Sequence, residues 1–102
     1  LTIAGIAMTP RRFTPTSDEH RRPPLFAAEE WRRIVQHLAL SPRQAEVAAC
    51  ILQSKQDKEI AALLGISKAT VRTYFNRCKQ QLDAVDRVGV ACRIFEAFRR
   101  LA

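Results

Sequence analysis

The stretch Asp57–Leu82, DKEIAALLGISKATVRTYFNRCKQQL, limits the choice of fold more than any other part of the chain. Ile60, Ala61 and Leu64 recur at helical spacing. Gly65 then offers a backbone that accepts positive φ, which a residue with a Cβ resists. Ile66 follows as an apolar plug, and Ser67 has the hydroxyl to cap a second, longer helix. Along that helix Val71, Phe75, Cys78 and Leu82 line one side, flanked by Tyr74. Small Ala61 lets the two helices approach closely, so the spacing is that of a helix-turn-helix.

The side facing the other way decides what such a unit does. At about 100° per residue, Ala69, Arg72, Thr73, Asn76 and Gln80 gather opposite the apolar side. A helix that only meets water usually carries Glu and Lys there. These residues instead match the edges of bases. Arg forks onto guanine, Asn makes a paired contact with adenine, and the Thr methyl meets the thymine methyl. The pattern predicts a helix that reads duplex DNA.

Charge agrees with a polyanionic partner. The 102 residues carry a net charge of +7, with a pI near 10.2. Residues 41–102 hold 11 Lys and Arg against 6 Asp and Glu, and residues 1–40 hold 6 against 4, so the excess travels mainly with the helix-turn-helix. A chain of this length buries one modest core. The three cysteines, Cys50, Cys78 and Cys92, are widely separated and lie on or beside apolar faces. They read as buried reduced thiols in a reducing cytoplasm, with no metal centre and no cofactor. No run is long and apolar enough to span a membrane. The opening LTIAGIAM is short and lacks the basic leader of a signal peptide. The chain starts on Leu, as a fragment or a processed product would.

Residues 1–25 form a leader in which Pro10, Pro15, Pro23 and Pro24 interrupt regular structure and Arg11, Arg12, Arg21 and Arg22 come in pairs. Such a segment is extended or disordered. It is either a tail without function or a basic arm that adds phosphate or minor-groove contacts. Five helices follow, expected at about 27–40, 42–53, 57–64, 67–82 and 87–101. The first has the stripe Trp31, Ile34, Val35 and Leu38, with Glu29 and Glu30 in its first turn but no capping oxygen before it. His37 sits beside that stripe without a partner group. Ser41-Pro42 caps and opens the second helix, whose small residues call for close packing around Val47. Asp57 caps the third, and Lys58 aims a positive charge towards a backbone phosphate. The last helix carries Val88, Ala91, Cys92, Ile94, Phe95, Phe98 and Leu101, more apolar surface than one side of a small bundle uses. It either adds a core contact with the Trp31 helix or offers a partner surface.

Residues 40–87 resemble the LuxR/FixJ/GerE-type DNA-binding domain of bacterial transcription regulators. The match runs through LSPRQAEVA at Leu40–Ala48, DKEIAALLGISKATVRTY at Asp57–Tyr74, and Gln81-Leu82 to Arg87. The resemblance implies an all-α, winged-helix-like four-helix bundle, here with an added N-terminal helix. Its third helix would enter the major groove, often in a homodimer joined through the last helix. It further implies base contacts from Arg72, Thr73 and Asn76, and phosphate contacts from Lys58 and from Lys68 and Thr70. Three positions depart from the pattern. Gln44 replaces a usual Glu, exchanging an ion pair for a neutral hydrogen bond; Ser54 replaces a usual Gly; Gln81 replaces a frequent Lys. Neither a receiver nor an autoinducer-binding domain fits in residues 1–40.

The resulting expectation is a sequence-specific transcription regulator, not an enzyme. Base contacts come from Arg72, Thr73 and Asn76 with Ala69 and Gln80; Lys58, Lys68, Thr70, Arg77 and Lys79 lie near phosphates; Ile94, Phe95 and Phe98 form the dimer interface. A sigma-factor-like promoter-recognition domain that works with RNA polymerase is one alternative, and a module binding an acidic protein is another. Catalysis has no support: Cys50 and Cys78 lack a His or carboxylate at useful spacing, and no phosphate-binding glycine loop or metal cluster is present.

Overall fold

A computed structural model of the chain describes residues 22–101 except Pro24. Among them lie five helices and no strand: α1 (Ala28–His37), α2 (Pro42–Leu52), α3 (Asp57–Leu64), α4 (Lys68–Leu82) and α5 (Arg87–Leu101). The expected leader falls outside the described residues, apart from Arg22, Pro23 and Leu25. There the chain is already tied to the bundle: Pro23 is buried, and Arg22 Nη1 donates to the Phe26 carbonyl at 2.9 Å.

α2 is the centre. Its N-terminus is closed reciprocally, with the Gln44 N–H donating to Ser41 Oγ at 3.2 Å and the Ser41 N–H donating to Gln44 Oε1 at 2.8 Å. The neutral hydrogen bond expected of Gln44 is thus spent inside its own helix. Every residue from Gln44 to Ile51 is buried, which small Ala45, Ala48 and Ala49 permit by letting neighbouring backbones come close. α4 and α5 both pack on α2, α3 packs on α4, and α1 packs on α5. One part of the core joins Val47, Ile51, Ile60 and Val71 beneath the helix-turn-helix. The other joins Trp31, Ile34, Leu40, Ala48, Leu82, Val90 and Ile94 between α1, α2, α5 and the end of α4.

The turns follow from single residues. Gly65 takes φ 68°, and the Ile66 N–H returns to the Ala61 carbonyl at 3.1 Å, closing α3. Ser54 adopts φ 62°, a left-handed turn of the kind the usual Gly makes without strain. α1 stops at His37, short of the expected residue 40, because Ala39 turns left-handed at φ 56°. Gln81 ties that end down, Nε2 donating to the carbonyls of Ala39 at 2.8 Å and Leu38 at 3.2 Å. At the other end of α1 no side chain caps Ala27. The Ala27 N–H instead finds Glu30 Oε1 at 2.8 Å.

Two expectations are corrected here. Asp57 does not cap α3: it is the first helical residue, and Gln56 holds the capping position with its N–H donating to Glu59 Oε1 at 2.8 Å. Cys92 is exposed while Cys50 and Cys78 are buried. On α5 the inward line is Val90, Ile94 and Ala97, and a residue two beyond Val90 is rotated by about 200° from it. Burial pushes the Cys50 thiol up and the Cys78 thiol up to about 11, so both stay protonated; Cys78 Sγ donates to the Gln44 carbonyl at 3.4 Å.

The apolar excess of α5 is taken up by α1 and by Phe26 just ahead of it. Phe26, 2 % exposed, stacks with Trp31 at 6.0 Å between ring centroids and meets Phe98 at 5.0 Å and Phe95 at 5.6 Å. Ile94 is fully buried in the core, so it is not available to a second copy as the sequence reading supposed. Phe98 is half-buried, and Phe95, which shares a groove with Val88, is the most exposed of the three.

Candidate nucleic-acid interface

α4 is held by its two ends and one face. Ser67 Oγ accepts from the Thr70 N–H at 3.0 Å, closing the first turn. At the C-terminus Asp83 takes φ 54° and its N–H returns to Gln80. Val71 is buried with Val47 and Ile60, and Cys78 is buried and bonded to the Gln44 carbonyl of α2. Leu82 is buried in the core shared with α1 and α5, and Tyr74 and Phe75 are half-buried at the margins. With that side committed, the helical period sends Ala69, Arg72, Thr73, Asn76 and Gln80 outwards, and all five are exposed.

The structure gathers some of these residues into one place and leaves others beside it. A groove of about 1130 Å³ runs between the start of α3, the flank of α4 and the start of α5. Lys58, Lys68, Arg72, Asn76 and Lys79 share its wall, joined by Lys55 and Arg87. Ala69, Thr70, Thr73, Arg77 and Gln80 lie outside it, further round the same helix. Thr73 donates its hydroxyl to the Ala69 carbonyl at 3.1 Å, so it offers outwards a methyl and an acceptor oxygen. Thr70 Oγ1 is paired with Ser67 Oγ at 2.9 Å, tying it into the helix cap.

Aromatic rings steady the longer cations. The Arg77 guanidinium lies over Tyr74 at 5.6 Å, while Lys79 Nζ and the Arg87 guanidinium lie over Phe75 at 4.8 and 5.8 Å. Lys58 and Lys68 are exposed at the first turns of α3 and α4. The positive ends of the two helix dipoles and the two ammonium groups together form a surface suited to phosphate oxygens.

Two residues of this site carry more than the sequence reading gave them. Asp57 Oδ1 accepts from Arg87 Nη2 at 2.9 Å, and its Oδ2 lies 3.6 Å from Arg72 Nε. Arg87 Nη1 also donates to the Lys55 carbonyl at 2.7 Å. Arg87 stands 30 residues beyond Asp57, so no local spacing announces the pair. Only its place at the edge of the resembling segment hinted that it mattered.

Comparison with protein families matches residues 38–94 to GerE, described as bacterial regulatory proteins, luxR family. No curated protein and no solved structure matches the chain.

Proposed function

Because the chain belongs to the luxR family of bacterial regulatory proteins, whose domain binds DNA and regulates transcription, we propose that it reads a specific duplex sequence by laying α4 in the major groove. Arg72, Thr73 and Asn76 address base edges, with Ala69 and Gln80 close to them. Lys58 and Lys68 meet phosphates on one strand, and Arg77 and Lys79 lie towards the backbone further along. Thr70 contributes through the cap it completes. One observation carries this reading. The five candidate base-facing residues are exposed together on a helix whose opposite side is buried, and cations border them.

The proposal includes a homodimer joined through α5. Its contact surface is revised by the burial of Ile94: Val88, 70 % exposed, and the outer edge of Phe95 replace it, with Phe98 reaching the surface only in part. A duplex-DNA ligand assigns the chain to the cytoplasm and its nucleoid. Among the described residues no helix is long and apolar enough to cross a membrane.

Selection of bound sequences from a random duplex library tests the proposal. The expected result is a defined motif; a dimer adds a second copy of it spaced by about one helical turn or a multiple of it. Recovery of unenriched sequence, with binding that heparin competes away equally from every duplex, is the result that defeats it.

A further inference from the structure

We infer that Asp57 is a specificity-determining residue, a carboxylate that holds Arg72 by its Nε side so that the guanidinium meets a guanine edge instead of wandering to phosphates. The inference rests on the base-reading role proposed for Arg72 and adds a residue to it.

Three observations carry it. First, Asp57 is itself anchored: Arg87 Nη2 donates to it at 2.9 Å while Arg87 Nη1 holds the Lys55 carbonyl at 2.7 Å, so the carboxylate is fixed to two parts of the fold. Second, the approach of Arg72 is through Nε, 3.6 Å from Asp57 Oδ2. An Arg held on that side keeps the fork of Nη1 and Nη2 for the paired acceptors of guanine. Third, the Arg72 side chain is 72 % exposed and makes no other ion pair among the described residues. Without Asp57 it has the rotamer freedom of any long surface side chain, and that freedom is lost on binding.

A carboxylate among Lys58, Lys68, Lys79 and Arg87 is also unfavourable to phosphate. It weakens binding to every duplex alike, while the presentation of Arg72 acts at the right site alone, and that second effect is what raises discrimination. A tie between α3 and α5 alone explains the Arg87 contact but not the placement of the second oxygen beside Arg72.

Asp57→Asn keeps the shape and removes the charge. Affinity would be measured on the selected site, on its single-base variants and on random duplex, for the wild type, Asp57→Asn, Arg72→Ala and the double variant. The inference predicts that Asp57→Asn binds random duplex more tightly. It also predicts a loss of preference, on the order of tenfold, at the one base pair whose identity Arg72→Ala ceases to read. In the Arg72→Ala background the same change should alter no base preference. Equal change at all positions, or preferences left intact, overturns the inference while leaving the base-reading role of Arg72 in place. If Arg72→Ala itself relaxes no base pair, the reading of α4 and the inference fall together. A melting curve accompanies each variant. Asp57→Ser, which also suits a helix start, replaces Asp57→Asn should that variant not fold, with the same expected and overturning results.

Discussion

Gly65→Ala is a sensitive probe of the turn that sets α4 against α3. Gly65 sits at φ 68° and ψ 35°, and a Cβ built there would meet no heavy atom within 4 Å. Crowding therefore contributes nothing, and the cost comes from the backbone alone. An L-residue in the left-handed region is disfavoured by roughly 1–2 kcal/mol. Reduced freedom of the unfolded chain returns about 0.4–1 kcal/mol of this. The net loss is about 1 kcal/mol, or a fall in Tm of about 4–8 °C for a domain this small. Far-UV circular dichroism during heating measures it. The converse change supplies an internal control, since Ala39 is an L-residue already held at φ 56°. Ala39→Gly should raise Tm, by less than the full relief of strain because the unfolded chain gains freedom. A fall of several times the stated size for Gly65→Ala would mean that the turn is packed against something. No fall at all would mean that it is not left-handed.

Other outcomes follow from the same geometry. Lys58→Ala should weaken binding to all duplexes alike and lower the slope of log affinity against log salt by about 1, read from titrations at several salt concentrations. Phe26→Ala removes a ring 2 % exposed among Trp31, Phe95 and Phe98, and chemical denaturation should show a loss approaching the ~3–5 kcal/mol of a buried Phe. A thiol reagent should label Cys92 in the folded protein and reach Cys50 and Cys78 only after denaturant is added. Because burial raises the Cys78 thiol from 9.0 to about 11, the unfolded chain releases that proton first as pH rises. Its contribution to stability is complete below pH 9 and falls between those values by at most roughly 1.4 kcal/mol per pH unit; denaturation of Cys78→Ala against pH should lack that decline.

Short-range chemistry was legible in the sequence, and long-range pairing was not. Gly65, Ser67 and Ser41-Pro42 act within three or four residues of themselves, and their spacing already told where helices begin and stop. The outward side of α4 could be read the same way, since a burial pattern at Val71, Cys78 and Leu82 dictates where Arg72 and Asn76 point. Phe26 gave no such sign. It precedes α1 in a proline-rich stretch, and the Phe95 and Phe98 rings that bury it lie some seventy residues further on. The same contact explains why the apolar width of α5 misled: half of it serves α1, so Ile94 points inwards and Cys92 outwards. Asp57 looked like a cap because its neighbours suggested one, whereas Arg87 across the fold determines what it does. Gln81, noted only as a missing Lys, closes the end of α1, an element outside the resembling segment.

Arg72→Ala decides whether the outward side of α4 distinguishes base pairs. Affinity of wild type and variant would be compared on the selected site and on random duplex at one salt concentration. The expected loss is about 1–3 kcal/mol on the selected site, confined to one base pair, with a much smaller loss on random duplex. Equal losses on both duplexes would reduce Arg72 to one more positive charge and remove the base-reading role of α4.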